Sequence, residues 1–411
     1  MPRAFFWILA VQCISTLADS AFLIVAIARV MELAAAGWLI PVLKISFTLF
    51  YVVLAPFVGP LADAFPKGRV MVVANGLKVL AMLLLLSGTD PVVAIGIAGL
   101  GAAIYAPAKY GLITELLPGK DLVRANGFFE GITVCAVIFG TVLGGVLVSP
   151  LMPRLQMPVL LQFGDLSDTV LVAGMLVLLV LHVASTVLSV GVVDSGARYA
   201  RHSIHPLQLF RQFIRENWIL WRDPLGGLSM TVTTLLWGVG ATLQLIVLRW
   251  AHEFLGLPLA QAAYLQGVTA LGVIAGAMLA SRFVALVRAE RVLPLGILIG
   301  LLIPLMLVIH DVAWAAVLLV VVGGLAGYFV VPMNALLQHR GCALLTAGRS
   351  IAVQGFNENG GMLLMLAAYS GAIALGVPLG SLVIAFGAMV ALGITIIYGL
   401  QRRGRRKAKR A

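Results

Sequence analysis

The 411-residue sequence predicts an all-α polytopic membrane protein with twelve transmembrane helices in two six-helix pseudo-repeats. The composition, the lengths of the apolar runs and the similarity of the two halves lead to this prediction. Hydrophobic residues make up 61% of the chain, charged residues make up 11%, and the mean hydropathy is +1.07. Soluble proteins contain about 45–50% apolar residues, so this composition excludes a soluble enzyme, a nucleic-acid reader, a disulfide scaffold and a disordered tail.

Twelve apolar runs are long enough to cross a bilayer, which takes about 20 helical residues. They lie at 5–29, 38–62, 69–88, 91–116, 122–148, 167–193, 225–250, 259–282, 292–310, 312–337, 347–372 and 377–400. The first run has no small-residue cleavage site after it, so we expect a retained first span and no signal peptide.

The distribution of basic residues predicts that both termini are cytoplasmic. In that orientation, four of the 28 Lys and Arg residues fall on the opposite side of the membrane: Arg29, Lys44, Arg154 and Arg249. The net charge of +12 is concentrated in a basic tail at 401–411. We expect this tail to contact anionic headgroups, with RNA binding as the alternative.

A polar linker at 194–223 separates spans six and seven. It predicts an N-terminal bundle at 1–193 and a C-terminal bundle at 224–400, followed by the basic tail. Large apolar residues of the linker recur at helical spacing opposite the arginines: Phe210, Phe213, Ile214, Trp218 and Trp221. This pattern suits a helix that lies in the membrane interface, and a solvated amphipathic linker is the alternative.

The two halves also resemble each other in sequence. Span four contains Pro107, followed 17 residues later by Arg124, and span ten contains Pro332, followed 17 residues later by Arg349. The resulting offset of 225 also relates Asp19 of span one to Gln244 of span seven. Parallel six-helix repeats joined by a basic linker are typical of the major facilitator arrangement.

Polar side chains within the spans are the candidate substrate site, because a charge at a helix centre costs about 2.5–3.5 kcal/mol on insertion. At about 1.5 Å per residue, Lys78, Glu130 and Glu358 lie roughly 13–17 Å from the cytoplasmic helix ends, close to the bilayer midplane. A buried structural ion pair is the alternative role for this group. The candidate substrate-binding residues are Asp19, Asn75, Lys78, Asn126, Glu130, Gln354, Asn357 and Glu358.

A second set of residues predicts gates or latches near the helix ends. Asp63, Lys67 and Arg69 lie in a loop between spans two and three that is similar to the major facilitator loop signature. Lys109 and Glu115 lie near cytoplasmic ends, where they could form a gate ion pair or serve as interface anchors. The full gate and latch set is Asp63, Lys67, Arg69, Lys109, Glu115, Arg124, Gln244, Arg249 and Arg349.

The sequence predicts no cofactor, metal site or catalytic residue. Three cysteines form an odd set without metal-ligand spacing. Gly119-Lys120 is followed by Asp121, which does not match a phosphate-binding loop. None of the six histidines has an Asp five residues later, and His182 is expected to be a packing residue.

Several stretches together resemble the bacterial lysophospholipid transporter (LplT) family of the major facilitator superfamily. The most family-specific are Tyr105-Ala-Pro-Ala-Lys-Tyr-Gly111 and Arg124-Ala-Asn-Gly127; others are Ala55–Asp63, Lys67–Met71, Ala74–Lys78, Val330–Gln338 and Ala352–Gln354. The resemblance implies an ATP-independent, flippase-like facilitator in the bacterial inner membrane. It would move lysophosphatidylethanolamine and lysophosphatidylglycerol to the cytoplasmic leaflet, where an acyltransferase/acyl-carrier-protein synthetase (Aas) would re-acylate them.

The chain departs from that family pattern at the first and seventh spans. Ser20 stands where relatives have Asn, and Gln244 stands where they have a basic residue, so that Arg249 is the nearest cation. A gate between Asp19 and span seven would therefore differ in geometry here.

A lipid substrate also sets a physical requirement on the route. Moving a 16-carbon tail through water would cost roughly 12 kcal/mol. We therefore expect the lipid to enter laterally between helices, with its tail in apolar surroundings. The headgroup would be handled by Lys78, Glu130, Asp19 and Glu358. The alternatives are a proton-coupled efflux pump or symporter with Glu130 or Glu358 as protonation site, and a non-transporting lipid-binding protein or lipid enzyme.

Overall fold

The computed structural model describes residues 2–33, 39–149, 169–197, 199, 205–257 and 259–408, so that Arg154 lies outside the described residues, as do the side chains of the basic tail. Within these ranges the chain forms the helices α1 (Arg3–Glu32), α2 (Leu39–Val53), α3 (Ala55–Ala64), α4 (Lys67–Leu86), α5 (Pro91–Leu116), α6 (Leu122–Leu147), α7 (Thr169–Val190), α8 (Pro206–Arg222), α9 (Pro224–Leu255), α10 (Leu259–Phe283), α11 (Leu293–Leu302), α12 (Val312–Leu344), α13 (Ala347–Ala374) and α14 (Leu379–Ala408).

Ten helical segments in the described part of the chain are long and apolar enough to cross a membrane, and the bent pair α2 and α3 provides an eleventh. The one remaining predicted span, the eleventh at 347–372, corresponds to α13, which is 28 residues long. Its polar residues from Gln354 to Asn359 make it less apolar than the other spans. The helices are therefore consistent with the predicted twelve spans. Because α13 is the least apolar of these spans, it is a candidate for a functional role in addition to lipid contact.

Two predicted spans are interrupted by proline. Span two bends by 64° between α2 and α3, where Leu54 precedes Pro56 in the first turn of α3. Span nine changes from α11 to a 3₁₀ helix at Ile303–Val308, with Pro304 near its start. Proline has no N–H to donate and clashes with the carbonyl four residues earlier, which explains both breaks.

Aspartates cap the starts of several spanning helices, among them α5 and α9. Asp90 caps α5 by accepting a hydrogen bond of 2.7 Å from the backbone N–H of Val92. Asp223 caps α9 by accepting from the backbone N–H groups of Leu225 and Gly226 at 3.2 and 2.7 Å. Because a carboxylate satisfies unpaired N–H groups and interacts with the helix dipole, these residues fix where both helices start.

The chain folds into two compact units. Unit 1 comprises 1–118, 132–217 and 341–356, and its apolar core includes Phe22, Met82, Leu85, Ile95 and Met175. Unit 2 comprises 119–131, 218–340 and 357–411, and its core includes Trp250, Phe329, Met333, Val383 and Ile394. The division of the chain at the linker stays a prediction.

Within unit 2, α10 and α12 pack with backbones in direct contact. A Cβ placed on Gly276 would lie 2.7 Å from the carbonyl carbon of Gly324 and 2.8 Å from the backbone nitrogen of Tyr328. Gly272, one turn earlier on α10, likewise faces the backbone of α12 at Val320 and Gly324. Small residues spaced by four allow such close approach between membrane helices.

We expect Gly276→Leu to prevent α10 and α12 from packing, because the new side chain would overlap the backbone of α12. The folded protein recovered from membranes should fall by more than about tenfold, consistent with severe overpacking. Gly267→Leu on the same helix is the matched control, since a Cβ there meets nothing within 4 Å. Size-exclusion profiles in detergent measure both, and equal profiles for the two variants would contradict the prediction.

Candidate functional site

A buried ion pair joins α1 to α4 within unit 1. The Lys78 Nζ lies 2.5 Å from Oδ2 of Asp19, and their side chains are 1% and 17% exposed. Lys78 also donates to Oγ of Ser15 at 2.8 Å. A charge at this depth is stable only with such partners, because desolvation of an isolated ammonium is costly.

A chain of hydrogen bonds continues from the ion pair to α7. Ser15 Oγ lies 3.0 Å from Oδ1 of Asn75, and Asn75 donates to Oγ of Ser189 at 2.9 Å. Ser189 in turn donates to the carbonyl of Ser185. The predicted site residues Asp19, Asn75 and Lys78 are thus brought together in one network that spans three helices.

A second cation, Lys109, also lies close to the Tyr105 ring. The Nζ atoms of Lys78 and Lys109 lie 5.2 and 5.4 Å from the centroid of this ring. Lys109 donates to Oε1 of Gln12 at 3.0 Å, and Gln12 donates to Thr16 and Thr133. Lys109 was predicted as a gate residue, and the structure places it near the same ring as Lys78; its role as a gate stays a prediction.

Two oxygen atoms in this cluster have unused hydrogen-bonding capacity. Oδ1 of Asp19 and the hydroxyl of Tyr105 are buried, and neither bonds to any group in the described part of the chain. Buried polar atoms are almost always paired, so unpaired ones in a polar cluster are candidate contacts for a ligand. The cluster therefore combines two ammonium groups, one carboxylate and one hydroxyl.

The predicted latch residue Asp63 contacts the start of α13 within unit 1. Its Oδ1 accepts from the backbone N–H of Gly348 at 2.9 Å, and Oδ2 accepts from the hydroxyl of Thr346. Lys67 Nζ lies 3.5 Å from Oδ1 of the same carboxylate. Asp63 thus acts on α13 as an N-terminal capping group supplied by another helix.

Lys67 links this latch to the end of α5. Its Nζ lies 2.5 Å from Oε1 of Glu115, which also accepts hydrogen bonds from Ser195 and Tyr199 in the segment after α7. Burial and the hydrogen bond to Glu115 raise the pKa of the Tyr199 hydroxyl, which therefore stays protonated as a donor. Glu115 is thus a buried ion-pair partner of Lys67, and its role as a gate residue stays a prediction.

Arg349 binds the linker helix. Its Nη1 donates to Oε1 of Glu216 at 2.5 Å, and one turn away the rings of Phe213 and Phe356 pack edge to face with centroids 5.3 Å apart. Burial raises the pKa of the Glu216 carboxyl, while the ion pair with Arg349 opposes that shift. Phe213 therefore packs inward on α13 and does not share the outer face predicted for it.

Asn126 forms a reciprocal amide pair in unit 2. Its Nδ2 donates to Oε1 of Gln338 at 2.8 Å, and Nε2 of Gln338 donates back to Oδ1 at 3.0 Å. Glu130, one turn later on α6, is half-buried. On α13, Gln354 is buried, Glu358 is half-buried, and Oδ1 of Asn357 accepts from Nε1 of Trp221 at 3.0 Å.

The remaining gate candidates lie in other surroundings. Gln244 donates to Oε1 of Gln266 at 2.9 Å, and Arg249 pairs with Glu253 at 2.5 Å on its own helix. Arg69 and Arg124 are exposed, and Arg124 lies 5.9 Å from the ring of Phe128. Arg124, Gln244 and Arg249 belong to unit 2, whereas the Lys78 cluster lies in unit 1.

An ion pair that the sequence analysis did not anticipate holds the start of α9. Arg340 binds both carboxylate oxygens of Asp223, at 2.5 and 3.1 Å. Burial alone would raise the pKa of the Asp223 carboxyl. The bonds from Arg340 and from the α9 backbone outweigh this effect and lower that pKa. The offset of 225 relates Glu115 to Arg340, so equivalent positions of the two halves carry opposite charges.

Spacing could have found some of the residues that were missed. Gln12 and Ser15 precede Asp19 by seven and four residues, which places all three on one face of α1. Glu216 is the single acidic residue of α8, on the side away from its arginines. Thr346 and Ser195 gave no such signal, because their roles depend on residues distant in sequence.

Comparison with known proteins agrees with this architecture. A family model described as Major Facilitator Superfamily matches residues 5–343. A relative named lysophospholipid transporter LplT from Yersinia enterocolitica is 37% identical over 379 residues, which cover 92% of this chain and 89% of the relative. A protein of the same name from Escherichia coli is 36% identical over 397 residues, covering 96% and 95%.

Solved structures share the fold at much lower identity. The human organic anion transporter MFSD10 (TETRAN) has a TM-score of 0.72 and 12% identity over 97% of this chain and 100% of its own. The Escherichia coli fucose:proton symporter FucP has a TM-score of 0.73 and 13% identity over 97% and 99%. The predicted fold is confirmed by these matches. The chain belongs to the major facilitator superfamily and, within it, to the family of the lysophospholipid transporter LplT.

Proposed function

We propose that this protein transports lysophospholipids across a bacterial inner membrane. The support is the family membership together with one structural observation, the buried cluster of Lys78, Asp19, Lys109 and Tyr105 in unit 1. Charged groups at mid-membrane are costly, and in membrane carriers they typically line the path of a polar substrate or ion.

The cluster is chemically complementary to a lysophospholipid headgroup. The two ammonium groups of Lys78 and Lys109 suit a phosphate, which accepts charge-assisted hydrogen bonds. The free Oδ1 of Asp19 and the Tyr105 hydroxyl suit the remaining donors and acceptors of the headgroup. The acyl tail would stay in apolar surroundings between helices, since exposure to water costs about 0.8 kcal/mol per methylene.

The cellular setting follows from the same proposal. Both termini would be cytoplasmic, as the distribution of basic residues predicts. Lysolipid delivered to the cytoplasmic leaflet would become substrate for an Aas-like acyltransferase/acyl-carrier-protein synthetase. This coupling is functional and requires no direct contact between the two proteins.

Transport by the purified protein tests the proposal. Vesicles containing the full chain should move fluorescent lysophosphatidylethanolamine to the leaflet protected from an external quencher, without ATP and without a proton gradient. A dependence on a proton gradient together with export of drugs would favour an efflux pump instead. Chemical conversion of the lipid would favour an enzyme, and lipid that stays on its original side would refute the proposal.

We expect Tyr105→Phe to weaken substrate binding without weakening the fold. The variant removes a hydroxyl that has no partner among the described groups, so the melting temperature should not fall. If the hydroxyl bonds the headgroup, the KM for lysophosphatidylethanolamine should rise about fivefold, as for loss of one hydrogen bond. An unchanged KM in vesicle uptake would show that the hydroxyl does not contact the substrate.

A further inference from the structure

The linker helix α8 has three faces of different character. Phe213, Glu216 and Leu220 recur at spacings of three and four residues and are buried. A second, exposed face is apolar and is formed by Leu207, Phe210, Ile214, Trp218 and Trp221. The third face adjoins the apolar one and carries Arg211, Arg215 and Arg222, all exposed. The arginines thus flank the apolar stripe, whereas the sequence pattern had suggested that they oppose it.

The buried face fixes α8 in place. Glu216 bonds Arg349 and Phe213 packs on Phe356, so that two residues one turn apart attach the helix to α13. The apolar stripe is therefore exposed because of how the helix is attached, and it cannot turn inward while these contacts hold.

The position of α8 places its exposed stripe at a membrane surface. The helix ends at Arg222, Asp223 caps α9, and the spanning helix α9 begins at Pro224. A single residue therefore separates α8 from a segment that enters the bilayer. Ile214 and Trp218 are 54% and 58% exposed, which is unfavourable in water and favourable at the boundary between headgroups and acyl chains.

The arginine face supplies the complementary charge for lipid phosphates. No ion pair found among the described residues involves Arg211, Arg215 or Arg222. The guanidinium of Arg222 lies 4.6 Å from the ring of Trp218, which directs the cation along the edge of the apolar stripe. Arginine binds phosphate through paired N–H groups, and aromatic residues favour the headgroup region.

We propose that α8 is a binding surface for anionic phospholipids of the adjoining leaflet. The phosphates would contact Arg211, Arg215 and Arg222 while Leu207, Phe210, Ile214, Trp218 and Trp221 enter the acyl region. Lipid bound there would also hold α13, through the contacts of Glu216 and Phe213. The surface is separate from the cluster at Lys78, and its occupant is a two-tailed membrane lipid rather than the transported lysolipid.

Lipid retention by the full-length protein tests this proposal without a transport assay. The protein would be purified in detergent with phosphatidylglycerol or with phosphatidylcholine, and the bound lipid would be counted by native mass spectrometry. We expect preferential retention of phosphatidylglycerol that decreases with salt, since exposed charges are screened. The triple variant Arg211→Gln, Arg215→Gln and Arg222→Gln should bind roughly a hundredfold more weakly, at about fivefold per arginine.

A matched triple variant controls for loss of surface charge. The variant Arg282→Gln, Arg288→Gln and Arg291→Gln removes three exposed arginines from the end of α10 and the 3₁₀ helix that follows it, and should leave retention unchanged. Replacing the α8 arginines by lysine should restore most of the binding, which excludes misfolding as the cause of the loss. Equal retention by the wild type and the α8 triple variant would overturn the proposal, and would leave this face to an acidic protein partner.

Discussion

Replacing Lys78 with methionine is expected to stop lysophospholipid uptake. Lys78 is the most deeply buried cation of the cluster, and its loss would leave the Asp19 carboxylate without its ion-pair partner. Removing one partner of a buried pair costs roughly 3–5 kcal/mol, so the melting temperature should fall as well. Uptake of labelled lysophosphatidylethanolamine by vesicles and thermal unfolding in detergent measure the two effects.

A double variant separates the two roles of this ion pair. Lys78→Met with Asp19→Leu removes both charges, so the penalty for an unpaired carboxylate disappears and stability should recover. Uptake should remain absent, because the headgroup has lost both its cation and its acceptor. Recovery of uptake together with stability would show that the pair is structural and would remove it from the substrate site.

Asp63→Ala is expected to slow uptake about tenfold. The substitution removes the acceptor for Thr346 and Gly348 at the start of α13 and leaves Lys67 with Glu115 as its acidic partner. Because the carboxylate is contributed by α3, its loss disconnects two helices in addition to uncapping one. Initial rates of uptake at saturating lysolipid would measure the effect on turnover.

Asp90→Ala is the matched control for that variant. Asp90 is also an aspartate that caps a spanning helix, but it caps the helix that directly follows it, and it is exposed. Its loss should cost about 1 kcal/mol of stability and leave the rate of uptake unchanged. If the two variants lower the rate equally, capping alone would explain the result and the latch role of Asp63 would be rejected.

Most helix positions were predictable because hydrophobicity largely determines where a chain crosses a bilayer. The predicted run 91–116 coincides with α5, and 122–148 ends one residue beyond α6. The breaks after Val53 and at Ile303 were missed, although Pro56 and Pro304 were visible in the sequence. A run of apolar residues indicates that a segment spans the membrane and says little about whether its helix is continuous.

Residue partnerships were less predictable than depth. The sequence identified Asp19 and Lys78 separately as costly to bury, but it could not pair residues that are 59 positions apart. Likewise, Arg349 was predicted as a gate residue without its partner Glu216, because that contact depends on where α8 docks. The cost of burying a charge can be predicted from the segment that contains it, whereas an ion pair depends on how the helices are arranged in space.

Glu115 and Arg340 occupy equivalent positions in the two halves but carry opposite charges. One half therefore cannot simply replace the other. Arg340 holds Asp223, which caps α9. In a chimera whose second repeat was a copy of the first, a glutamate would occupy that place and two carboxylates would repel each other. The two halves therefore differ in charge at this position, and we expect a tandem copy of the first half to hold the start of α9 less firmly unless this position is changed to arginine.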